Sequence, residues 1–148
     1  MSGSEHQTEV EDVEVKEVWR RLAEESGAVL VDVRTQAEWT FVGLPDLSAI
    51  GKQVVTVEWQ TFPGAEANAS FVDQLASGLS ELGAGPDTSL FFICRSGGRS
   101  LAAAKAMAAA GYRGSHNVAG GFEGPLDSDR HRGSVAGWVA AGLPWVQG

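Results

Sequence analysis

Helical and strand-like rhythms of apolar positions alternate along this chain. In VEVKEVWRRLAEESG, Val15, Val18, Trp19 and Leu22 recur at helical spacing and predict an amphipathic helix that Gly27 can end. AVLVDVR, residues 28–34, is instead a short and nearly continuous apolar run, the pattern of a strand buried on both faces of a parallel sheet. Thr35 followed by Glu38 is a capping-box spacing, so a short helix is expected as that strand ends. VVTVEW, residues 54–59, is the next strand candidate, and TFPG then reads as a turn.

Phe71, Val72, Leu75, Leu79 and Leu82 mark one face of a second long helix, closed by Gly83. TSLFFIC is the most strand-like stretch, and the alanine-rich run after Arg99 and Ser100 has high helix propensity up to Gly111. SHNV predicts a final short strand, residues 120–133 an exposed loop rich in glycine and charge, and residues 137–144 a terminal helix. Strands and helices in alternation favour an α/β layer built on a mostly parallel sheet.

A length of 148 residues with 43% hydrophobic content suits one domain with a sizeable core. Residues 1–12 offer no periodic apolar face and are expected as a mobile acidic tail, with the domain spanning 13–148. The net charge of -8 argues against nucleic acid or an anionic membrane as the main partner, since both need a basic face. No secretory or membrane-spanning pattern is evident, so a cytoplasmic location is the expectation. Cys94 is the only cysteine; it cannot form an internal disulfide or a multi-thiolate metal site, and no metal or cofactor is expected.

Cys94 stands where an apolar strand turns into Arg95, Ser96, Gly97, Gly98 and Arg99. Ligands of parallel α/β sheets gather at the carboxyl ends of strands. The glycines permit dihedrals that aim successive N–H groups inward as an anion nest, and a helix N-terminus directly behind adds unpaired donors. A setting that binds an anion also stabilises a thiolate, the nucleophilic form of cysteine. The two arginines point to a small anionic substrate that brings an electrophilic atom to sulfur. An inert core cysteine has no use for such neighbours.

These residues resemble the rhodanese family of sulfurtransferases, in which a six-residue loop beginning with the catalytic cysteine joins a central strand to a helix. Asp32-Val33-Arg34 with Glu38-Trp39 is similar to the family's early motif, and Val118-Ala119-Gly120-Gly121 with Trp138 and Gly142-Leu143-Pro144 to its closing one. The resemblance implies a three-layer fold, helices flanking a central mostly parallel sheet. It implies a Cys94 thiolate that takes a sulfane sulfur from an anionic donor such as thiosulfate, holds it as a persulfide, and passes it to cyanide or a thiol. The loop N–H groups would hold the persulfide, Arg95 and Arg99 would orient the donor, and Asp32 and Arg34 would support the loops beside the site.

The chain departs from the family's pattern at Val42-Gly43-Leu44-Pro45, in extra residues near 46–53, and in an insertion near 123–134, all expected to reshape the pocket rim. Three other readings compete. One is a persulfide carrier served by a sulfur-relay protein, and another is a binding module without catalysis. The third is a phosphatase or arsenate reductase, whose loops place arginine six residues after cysteine, where this chain has Ser100.

Overall fold

The computed structural model describes residues 10–60 and 67–147. Five parallel strands form its central sheet in the order β1-β6-β5-β2-β4. They are β1 (Glu11–Val13), β2 (Val29–Asp32), β4 (Val55–Thr56), β5 (Leu90–Ile93) and β6 (Ser115–Val118). The central pair β2 and β5 is buried at every residue, as expected for strands covered on both faces. Four α-helices cover the sheet: α1 (Val15–Glu24), α2 (Gln36–Phe41), α3 (Phe71–Glu81) and α4 (Gly98–Ala109). The mostly parallel α/β architecture read from the alternating pattern is the one observed.

Strand alternation divides the core in two. Leu90, Phe92 and Cys94 face Phe71, Leu75 and Leu79 of α3 and Ala103, Ala104 and Met107 of α4. Phe91 and Ile93 face the opposite way, onto Val15, Val18 and Leu22 of α1 with Phe122 and Trp138. The alanines of α4 let that helix lie close to the sheet, which sets its N-terminus against the end of β5.

Several sequence expectations need correction. Glu11 and Asp12, expected in the tail, belong to β1, which pairs with β6 at Glu11–His116, Asp12–Asn117 and Val13–Val118. Main-chain pairing holds an edge strand that lacks an apolar face of its own. Residues 1–9 of the expected tail and the TFPG turn lie outside the described residues. The strand expected over 54–59 is regular only at Val55–Thr56, because β2 ends at Asp32, which accepts from Val57 N–H, and Trp59 N–H then donates to Val33 beyond that end.

The terminal helix expected over 137–144 is a single hydrogen-bonded turn, with Ala141 N–H donating to the Gly137 carbonyl and Leu143 N–H to that of Trp138. Gly137 and Gly142 both have positive φ, and the segment is too short to nucleate a helix. Beyond it, β7 (Trp145–Val146) pairs antiparallel with β3 (Leu44–Pro45), a pairing no local pattern announced. Trp138 is wholly buried and donates to the Pro144 carbonyl at 2.7 Å, while Trp145 lies 39% exposed at the edge.

The extra residues near 46–53 carry the chain away from the cysteine end of the sheet. Leu47 is buried, and Lys52 donates to the Glu25 and Ala28 carbonyls at 2.7 and 2.6 Å, at the opposite end of β2 from Asp32. Lys52 therefore closes the end of α1 instead of the pocket rim.

Candidate functional site

Cys94 follows β5 immediately and is 1% exposed. The chain then turns through Arg95 and Ser96 to Gly97, the N-cap of α4, whose φ of 119° is open only to glycine at low cost. That conformation aims the Gly97 N–H at Cys94 Sγ, 3.1 Å away, and the Ser100 hydroxyl lies 3.2 Å from the same sulfur. The first turn of α4 stands behind, with its unpaired N–H groups and positive dipole end.

The outer side of the loop is held by the glycine-rich turn after β6. Phe122 N–H donates to the Cys94 carbonyl at 2.8 Å, and Glu123 and Gly124 N–H groups to that of Arg95 at 3.0 Å. The Cys94 and Arg95 carbonyls are thus engaged outward, while the Gly97 N–H faces the sulfur. Gly121 makes this contact possible: at φ 66° a Cβ would lie 2.6 Å from both the Cys94 and Arg95 oxygens. The loop expected as exposed over 120–133 is therefore partly core, with Gly121 and Phe122 buried and the Asp129–His131 tip exposed. Asp127 organises that tip, accepting from the N–H groups of Asp129 and His131 and from the Ser134 hydroxyl.

Arg95 and Arg99 have different surroundings. Arg95, the residue after Cys94, is exposed. Arg99 makes a bidentate pair with Glu38 of α2, at 2.7 and 3.0 Å, both side chains about a quarter exposed or less. Burial raises the Glu38 pKa, but the Arg99 hydrogen bond, the Thr35 N–H and the charges of Arg99 and Arg34 outweigh it and hold the carboxyl below its ordinary value. Both halves of the capping box form, so Thr35 fixes Glu38 and Glu38 fixes Arg99. Arg99 reads as a tie between the loop and α2, beside the donor-orienting role that the resemblance implied for it.

Asp32 and Arg34 are fully buried and paired, with Arg34 Nη2 at 2.7 Å from Asp32 Oδ2 and from the Gly43 carbonyl. The Arg34 guanidinium also lies over the Phe122 ring, 4.3 Å from its centroid. The pair joins the end of β2 to the two loops flanking the cysteine turn. Glu58 accepts from the Gln36 N–H at the start of α2, and Trp59 packs edge-on against Phe71. Among the described residues no group of His, Cys, Asp and Glu converges as metal ligands. No helix there is long and apolar enough to cross a membrane.

Local sequence reasoning misses Asn117 and Asp12. Asn117, on β6 and 4% exposed, donates from Nδ2 to Asp12 Oδ1 at 2.9 Å, while its Oδ1 lies 2.6 Å from Ser100 Oγ. The one signal for it in the sequence is an amide inside a short strand. For Asp12 there is none.

Known proteins place this geometry in a family. A family model described as the STR4 middle domain matches residues 10–148. An uncharacterized protein of Rickettsia prowazekii is 36% identical over 136 residues, 92% of this chain and 97% of that protein. The crystal structure of Rv0390 from M. tuberculosis superposes with a TM-score of 0.84 at 45% identity, covering 94% of this chain and 98% of that one. A relative in Arabidopsis thaliana, named a rhodanese-like domain-containing protein, is 25% identical over 89% of this chain and a quarter of its own length. The fold is thus rhodanese-like, as the motifs implied, while the matching model is not the rhodanese one. A match running from the first strand to the last shows that the chain belongs to the STR4 middle domain family.

Proposed function

We propose that the chain is a sulfurtransferase in which Cys94 carries a sulfane sulfur between an anionic donor and a thiophilic acceptor. The observation that carries this reading is a lone thiol at a strand end, met by the Gly97 N–H at 3.1 Å in front of a helix N-terminus. Rhodanese-like relatives and the three sequence motifs support it.

With thiosulfate, Cys94 Sγ attacks the outer sulfur, the donor's S–S bond breaks, and sulfite leaves with the bonding pair. Cyanide or a thiolate then attacks the outer sulfur of the Cys94 persulfide, and the pair returns to Sγ. Neither step needs a metal or a cofactor. Backbone N–H groups of the loop hydrogen-bond the anionic outer sulfur, and exposed Arg95 draws in the donor.

Intact mass spectrometry of the reduced protein after thiosulfate should show a gain of one sulfur atom, discharged by cyanide as thiocyanate and absent in Cys94→Ser. A protein that gains no sulfur from thiosulfate or from a small-molecule persulfide has no transferase activity. Charging by a persulfide-bearing protein alone would instead identify a carrier.

A further inference from the structure

Ser100 has one hydroxyl proton and three neighbours able to accept it. Asn117 Oδ1 lies at 2.6 Å, Cys94 Sγ at 3.2 Å and the Gly97 carbonyl at 3.2 Å. The orientation of the Asn117 amide follows from its other contacts. Nδ2 faces Asp12 Oδ1 at 2.9 Å and the Gly97 carbonyl at 3.3 Å, and both of these only accept. Oδ1 must therefore face Ser100, and two oxygens 2.6 Å apart require a proton between them. The Ser100 proton points away from the sulfur, and a lone pair faces it.

We infer that Asn117, held by Asp12 of the edge strand, is a positioning residue that sets the direction of the Ser100 hydroxyl and thereby the balance between thiol and thiolate at Cys94. In this arrangement Ser100 donates to Asn117 and Asn117 donates to Asp12, which leaves the Ser100 lone pair toward Cys94 able to accept from a thiol but not to donate to a thiolate. When the thiol proton leaves to solvent, the hydroxyl must abandon Asn117 to donate to the anionic sulfur. This inference rests on the reading of Cys94 as the reacting thiol, and it gives the edge strand a part in the site.

Other charged groups around Cys94 are Arg95 of the loop, Arg99 of α4, Glu38 of α2, and Asp32 and Arg34 of β2. None of them changes in the following test. Cys94 is the only cysteine, so ultraviolet thiolate absorbance, corrected with Cys94→Ser, titrates one group. Asp12→Asn lets the Asn117 amide turn its Nδ2 toward Ser100 and frees the hydroxyl proton for sulfur. The titration midpoint should fall by about one pH unit, the size of one hydrogen bond to a charged group.

Removing the Asp12 charge would also favour the thiolate directly, without the hydroxyl. In a Ser100→Ala background only that direct part remains, so the Asp12→Asn shift should be clearly smaller. No shift in either background, or an equal shift in both, overturns the inference. Asn117→Ala should lower the midpoint like Asp12→Asn, and Asp12 is exposed enough that its variant folds. No sulfur donor enters the titration, so failure here leaves the transfer reading standing, and failure of transfer leaves this one standing.

Discussion

Gly121→Ala is the sharpest perturbation of the cysteine loop that leaves every loop residue unchanged. At φ 66° an alanine must adopt left-handed backbone, which costs about 1 kcal/mol. Its Cβ would sit 2.6 Å from the Cys94 and Arg95 carbonyl oxygens, inside the closest approach of real side chains. Both oxygens are backbone and already accept from Phe122, Glu123 and Gly124, so relief means stretching those bonds or moving the loop. Such overpacking costs about 1–3 kcal/mol, and with the backbone term the expected loss is about 3 kcal/mol. For a domain of this size that lowers Tm by about 6 to 12 °C. Gly98→Ala is the control, since its Cβ meets nothing within 4 Å and lies in the first turn of α4. Thermal unfolding followed by circular dichroism should show the large loss only in Gly121→Ala. In folded protein at about 20 °C, its sulfur uptake from thiosulfate should slow while that of Gly98→Ala does not. Equal Tm values for the two variants would refute the contact between this turn and the cysteine loop.

Glu38→Gln keeps a capping side chain but breaks the charge pair with Arg99; at this partial burial it should cost about 1–2 kcal/mol, read by urea unfolding, and slow transfer as the loop loosens. The lowered Glu38 pKa means that this contribution is complete above the ordinary carboxylate range and is lost as pH falls below that range through the lowered value. Arg95→Ala should raise KM for thiosulfate about tenfold, with a weaker salt dependence, and leave Tm unchanged, because one exposed cation is removed from the donor's approach. Burial and the charge of Arg21 lower the His116 pKa, so the folded protein favours the neutral ring, which stacks on Phe91. That contribution is full above about pH 6.5 and declines as pH falls through the lowered value, so the stability gap between the protein and His116→Phe should shift against the wild type on acidification.

Much of the fold follows from local pattern. Apolar runs such as VLV of β2 and LFFI of β5 can be buried only between two layers, and stripes such as Val15, Val18 and Leu22 need a sheet to lie against. Cys94 and its glycine turn are legible for the same reason: the strand, the turn and the helix behind it are contiguous, so their geometry follows from neighbouring residues alone. The capping box of Thr35 and Glu38 spans three residues and forms as read.

What the pattern could not supply are contacts between segments far apart in the chain. Glu38 reaches Arg99 across 61 positions and Asn117 reaches Asp12 across 105, and no local spacing encodes either approach. The β3–β7 pair and the edge strand β1 each depend on a partner placed by the rest of the fold. The amino-acid sequence by itself determined the layered α/β class and the cysteine turn at its strand end, because both arise from short-range sterics and burial. Tertiary packing alone decided that Arg99 is spent on Glu38, that Gly121 lies under the cysteine turn, and that Ser100 faces an amide. Those pairings are set by which elements the sheet order brings side by side.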